Sequence, residues 1–186
     1  MIVAFTGGMG VGKSTAINQL NQLINGKTLN IKFAQPLYDM QEMIYGLISG
    51  VHAPPEGFVK DRKLLQWLGT DWGRDTISES LWVDLWKQEV KRKEFMENPK
   101  AITCDDCRFP NEADAVHAEG GFVIKIIRSS ANPEGGTGIA AHKSEVGLNE
   151  KYVDFVIVND NTVESLRNQL KGILELIQTA NNERRK

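Results

Sequence analysis

The chain of 186 residues holds only two cysteines and three histidines. The cysteines, Cys104 and Cys107, have the C-x-x-C spacing of a thioredoxin-like redox pair or of half a zinc site. Zinc needs two further ligands, and His52, His117 and His142 show no metal-ligand spacing. A redox pair of that type opens a helix, whereas these cysteines straddle Asp105 and Asp106 behind an apolar run. Both are therefore read as reduced packing residues in a reducing compartment. Long hydrophobic runs are missing as well: nowhere do the roughly 18 or more consecutive apolar residues of a membrane-spanning helix occur. The N-terminal run Met1 to Phe5 has no basic segment before it and no small-residue cleavage site after a longer apolar stretch, so it reads as a buried strand. Excess charge is also lacking, since 22 Lys and Arg against 24 Asp and Glu leave a formal net charge of −2. No uniform field draws such a chain onto nucleic acid or an anionic membrane, and a small substrate suits it better. There is no internal repeat. The expectation is a soluble, cytoplasmic protein with neither a membrane nor a nucleic-acid partner.

What is present is enough for one sizeable core, with 41% hydrophobic residues in one domain's length of chain. Residues 2–6 (IVAFT) form a continuous apolar strand that runs into glycines, and residues 13–25 place Ile17, Leu20 and Ile24 at helical spacing. Residues 28–34 read as a second strand ending before Pro36, and a helix follows from Leu37 to Leu47, broken by Gly50 and Pro54-Pro55. From Lys60 to Phe95 the pattern is helical without strands. Leu64, Leu65, Leu68, Ile77, Leu81, Trp82, Leu85 and Trp86 form its apolar stripes, and Gly69 and Gly73 its expected joints. Further strands are expected at 101–104, 122–127 and 153–158, with helices near 111–119 and 162–178. Strands alternating with helices predict an α/β protein whose parallel sheet is covered on both faces.

Gly7-Gly8-Met9-Gly10-Val11-Gly12-Lys13-Ser14 matches G-x-x-x-x-G-K-[ST] between an apolar strand and an amphipathic helix, the context the motif requires. Glycines let the loop turn its N–H groups around phosphates, and the helix adds its positive end. The expected triphosphate cradle is Gly8, Gly10, Val11, Gly12, Lys13, Ser14 and Thr15, with Lys13 on the β and γ oxygens and the Ser14 hydroxyl on magnesium. A glycine turn that bound nothing would require neither Lys13 nor a hydroxyl at 14. The chain is accordingly expected to use Mg2+ and ATP as phosphoryl donor.

Such a site also needs an acid at a neighbouring strand end, and Asp105 and Asp106 leave the AITC run there. They are the candidate metal ligands beside Ser14; one of the two capping a turn before Pro110 is the structural alternative. Phosphoryl transfer is positioning and charge neutralisation, so cations should surround it. Arg62, Arg74, Arg108 and Arg128 are the candidates, with Arg62 and Arg74 able to clamp an acceptor phosphate through their forks. Arg128 enters SSANPEGGTGIAAH, a lid-like loop without arginine, near His142 and Lys143. His142 is either a general base or structural. Trp67, Trp72, Trp82 and Trp86 are read mainly as core.

The blocks TGGMGVGKST, FAQPLYDM, DRKLLQWLGTDWGRD with SLWVDLW, DDCRFPNEAD and HKSE together resemble the deoxynucleoside monophosphate kinases of bacteriophages over nearly the whole chain. The resemblance implies a P-loop NTPase fold like adenylate kinase, with a five-stranded parallel sheet, helices on both faces, a helical acceptor insertion and a short lid. One domain would then comprise a core of about 1–36, 99–128 and 151–180, an insertion of about 37–98 and a lid of about 129–150. The implied reaction is ATP plus a deoxynucleoside monophosphate giving ADP plus the diphosphate, in a monomer or homodimer, within the host cytoplasm if phage-encoded. Lys13, Asp106, Arg108 and Arg128 are expected to be catalytic, and Gln35, Arg62, Gln66, Arg74, Trp82 and Arg108 to bind the acceptor. Two other readings stay open: a P-loop kinase for another small acceptor such as dephospho-coenzyme A, and an ATPase or switch that needs no acceptor.

Overall fold

The computed structural model describes residues 1–50, 61–129 and 148–183. The expected lid, His142 and Lys143 lie mostly or wholly outside these residues, as does the Pro54-Pro55 turn. Five strands form one sheet in the order β2-β3-β1-β4-β5: β1 (Ile2–Thr6), β2 (Thr28–Asn30), β3 (Ala101–Cys104), β4 (Phe122–Ile127) and β5 (Phe155–Val158). Every pairing is parallel, with Ala4 opposite both Cys104 and Val123. The helices between them are α1 (Lys13–Leu23), α2 (Gln35–Ser49), α3 (Arg62–Gln66), α4 (Leu81–Glu97), α5 (Pro110–Ala118) and α6 (Val163–Glu183).

The unbroken apolar run of β1 is explained by burial on both faces, since all five of its residues are buried. Alternate side chains serve opposite layers. Ile2 and Ala4 pack with Ile102, Cys104, Val90 and Trp86 under α4 and α5, while Val3 and Phe5 pack with Ile17, Leu20, Leu166 and Leu170 under α1 and α6. Cys104 and Cys107 are free thiols in the first layer, and burial holds both well above the usual thiol range. Strand order reverses at β1, so the crevice beyond the carboxyl ends of β1, β3 and β4 is the ligand position that this topology favours.

Several expectations are corrected here. β2 is three residues long, because the chain after Asn30 gives its polar groups to other partners. The Ile31 carbonyl accepts from Trp86 Nε1, and the Phe33 and Ala34 N–H groups donate to Asp106. α2 then starts at Gln35, with Pro36 in its first turn, where a missing N–H is harmless. Gly69 and Gly73 are not joints: they lie inside an eleven-residue π-helix, Trp67–Ile77, that continues α3. Ile77, expected in the apolar stripes, is exposed. α6 runs to Glu183, beyond the expected stop at 178.

Candidate active site

The loop from Gly7 to Gly12 leaves β1 and enters α1 through positive φ at Gly7, Gly10 and Gly12. Gly12, at φ 104, is the N-cap of α1 and has no side chain to cap it. A Cβ there would stand 2.3 Å from Asn159 Nδ2, so strain and collision both require glycine. The same Asn159, 8% exposed at the end of β5, donates from Nδ2 to the Val11 carbonyl at 2.8 Å, and its own N–H reaches the Ile127 carbonyl. The loop is thereby tied to the ends of β4 and β5. Lys13 folds over it, with Nζ donating to the Gly7 and Gly8 carbonyls at 2.9 and 2.6 Å. Burial, and then the Arg108 charge, lower its pKa.

At the end of β3 the two aspartates face different partners. Asp106 accepts from the backbone of Phe33 at 3.0 Å and of Ala34 at 2.9 Å, one bond on each oxygen, and from the Cys104 thiol at 3.0 Å. Asp105 pairs with Lys32, at 3.3 Å through Oδ2 and 3.2 Å through Oδ1. Asp106 lines the cleft described next, and Asp105 does not.

One cleft of about 510 Å³ joins the P-loop to the insertion. Its lining includes Lys13 and Ser14 from the P-loop, Arg62, Gln66 and Arg74 from the helical segment, and Asp106 and Arg108 from the turn after β3. Arg62 Nη2 lies 3.8 Å from the Met9 sulfur, across the mouth between insertion and P-loop. Arg74 forms an ion pair with Glu112 at 2.6 Å and lies 3.9 Å above the centre of the Phe109 ring. Glu112 is 3% exposed; burial pushes its carboxyl up to about 7, against the pull of the Arg108 and Phe109 N–H groups and of Arg74.

Not every expected residue reaches this cleft. Gln35 is exposed, with its amide donating to Asp39. Arg128 follows β4, exposed and outside the cleft lining, and Thr15 and Val11 do not line it either. Trp82 lines it as wall: the ring is 2% exposed, its Nε1 donates to the Gly69 carbonyl at 2.8 Å, and its edge fills the space that a side chain on Gly73 would need. Two further residues here, Glu112 and Asn159, carry no mark in the sequence. Glu112 occurs in the DDCRFPNEAD block, but in the first turn of a helix, where an acid reads as an exposed cap. Asn159 follows β5 with no motif to mark it.

A family profile described as deoxynucleotide monophosphate kinase matches residues 14–170. A protein of Acanthamoeba polyphaga mimivirus, provisionally named a deoxynucleotide monophosphate kinase, is 32% identical over 191 aligned positions covering 91% of this chain and 94% of that protein. The deoxynucleotide monophosphate kinase of Enterobacteria phage T4 is 31% identical over 116 positions, which cover 62% of this chain and 46% of the phage protein. Among solved structures, TT1252 of Thermus thermophilus shares the fold at 15% identity, with a TM-score of 0.51 and coverage of 94% of this chain and 96% of that one.

Proposed function

The chain belongs to the deoxynucleotide monophosphate kinase family, and from that premise we propose that it transfers the terminal phosphoryl group of ATP to a deoxynucleoside monophosphate. The observation that carries this reading is a cleft lined jointly by the P-loop residues Lys13 and Ser14 and by Arg62, Gln66, Arg74 and Arg108. Transfer requires donor and acceptor phosphates in line, and a cavity lined by both segments supports that arrangement.

In this reading the loop N–H groups and the start of α1 receive the triphosphate, and Lys13 leaves the Gly7 and Gly8 carbonyls for the β and γ oxygens. The fit to magnesium rests on the donor set: a hydroxyl at Ser14 and carboxylate oxygen at Asp106 suit a hard cation, and Asp106 Oδ2 keeps a lone pair beyond its bond from the Ala34 N–H. Asp105, held by Lys32, acts at most on the outer water shell. Held there, magnesium would supply neutralisation of the phosphate charge. Arg108, whose charge acts on Lys13, stabilises the phosphoryl group in flight, while Arg62 and Arg74 hold the acceptor phosphate. An acceptor oxygen attacks the γ phosphorus as its bond to the β-bridging oxygen breaks, leaving ADP.

Family membership favours this reading over dephospho-coenzyme A as acceptor and over an acceptor-independent ATPase. ADP formation with magnesium and ATP should require dAMP, dCMP, dGMP or dTMP and stay at background with dephospho-coenzyme A or no acceptor. Lys13→Ala should abolish it while the circular dichroism stays unchanged. Equal ADP release without acceptor would rule the kinase reading out.

A further inference from the structure

Glu112 makes contacts that a helix cap alone does not require. Oε1 receives Arg74 Nη2 at 2.6 Å, and Oε2 receives the backbone N–H of Arg108 at 2.7 Å and of Phe109 at 3.1 Å. Arg74 belongs to the π-helix of the insertion, and Arg108 to the turn between β3 and α5 in the core. Two pieces of chain distant in sequence, both lining one cleft, thus meet on one buried carboxylate.

Burying a carboxylate is unfavourable unless pairing and hydrogen bonds compensate for its lost hydration. An exposed Asp or Glu, or a neutral amide, would accept the two N–H groups without that cost. What the buried charge adds is control of a guanidinium. Glu112 holds one Nη of Arg74, the Phe109 ring covers its face, and the other Nη points to the Glu79 carbonyl 3.5 Å away. The remaining donors of Arg74 are free to serve the cleft that this side chain lines.

We propose that Glu112 is the positioning residue of the acceptor end: it locks Arg74 of the insertion to the Arg108 turn of the core, so that both cations meet one acceptor phosphate at a set separation. The proposal rests on the kinase reading for its substrate, and on the three contacts for its geometry. Glu112 touches no substrate in this scheme and acts through the two arginines.

Glu112→Gln separates clamping from capping, because the amide oxygen still accepts from Arg108 and Phe109 while the charge that holds Arg74 is gone. At pH 8, where the wild-type carboxyl is ionised, this variant should raise the acceptor KM by about 10-fold or more, the loss of a charge-assisted bond. The ATP KM should move by less than about twofold. In the pair Glu112→Gln with Arg74→Ala, the acceptor KM should be no worse than in Arg74→Ala alone, since the two act as one unit. An unchanged acceptor KM in Glu112→Gln, or effects that multiply in the double variant, would overturn the proposal. If the wild-type protein phosphorylates no deoxynucleoside monophosphate, the kinase reading fails by itself, and the clamp is then read by hydrogen exchange without ligand. Glu112→Gln should speed exchange in 67–77 as well as in 108–112; a change confined to 108–112 leaves Glu112 a helix cap and removes the proposal.

Discussion

Around Glu112, burial opposes charge strongly enough to be measured. Its carboxyl sits at about 7 in the folded protein against 4.5 for an unperturbed glutamate. Between these values the folded form holds a proton that the unfolded chain has released, so stability must fall as pH rises through the window. The slope from this group is at most about 1.4 kcal/mol per pH unit. Glutamine at 112 cannot titrate, so urea denaturation at pH 5, 6 and 7 should show wild type losing stability relative to Glu112→Gln as pH increases. Parallel curves would contradict the burial argument. Lys13 and Ser14 were legible in the sequence because the P-loop motif has their types at fixed spacing from glycines. Glu112 was not, because its partner Arg74 lies 38 positions away and nothing local distinguishes a buried acid from a solvated one.

The π-helix Trp67–Ile77 is the element that most departs from sequence expectation. A glycine in a helical pattern reads as a hinge, but here Gly73 provides space. A Cβ on it would lie 2.4 and 2.7 Å from two atoms of the Trp82 ring and 2.8 Å from the Leu68 carbonyl. Trp82 is itself fixed by its bond to Gly69, so the ring has little freedom to retreat. Gly73→Ala should therefore lower stability by about 1 to 3 kcal/mol, the range for overpacking a filled site, and raise the acceptor KM, because Arg74 is the next residue. A variant with the wild-type urea midpoint would mean that Trp82 can move. The wider turn of a π-helix is set by such contacts and by the Ser78 N–H reaching back to the Gly73 carbonyl, none of which has a signature in residue periodicity.

Across the whole molecule the apolar groups fall into unequal clusters. The two faces of the sheet each bury a long series of side chains, from Ile2 to Leu148 on one and from Val3 to Ile177 on the other. In the insertion, the fully buried cluster among the described residues is Leu37, Leu65, Leu68 and Trp82. Regions with less buried apolar surface open at lower free energy. Native-state hydrogen exchange in rising urea should therefore find amides of α3 and the π-helix opening below the global transition, while β1 and β4 exchange only through it. Uniform protection would show the insertion and core to be one cooperative unit. Among the described residues, no helix is long and apolar enough to cross a membrane.

The sequence by itself determined the P-loop, the strands β1, β3 and β4, and the α/β class. These follow from local rules: fixed spacing of glycines, lysine and hydroxyl, and apolar runs whose length and period report burial. Tertiary structure alone decided that Asp106 rather than Asp105 faces the cleft, that Arg128 and Gln35 stay outside it, that Asn159 anchors the loop, and that Glu112 joins Arg74 to the Arg108 turn. Each of those outcomes depends on which distant groups compete for one polar atom or one volume. That competition is settled only when the sheet order and helix packing bring the groups together.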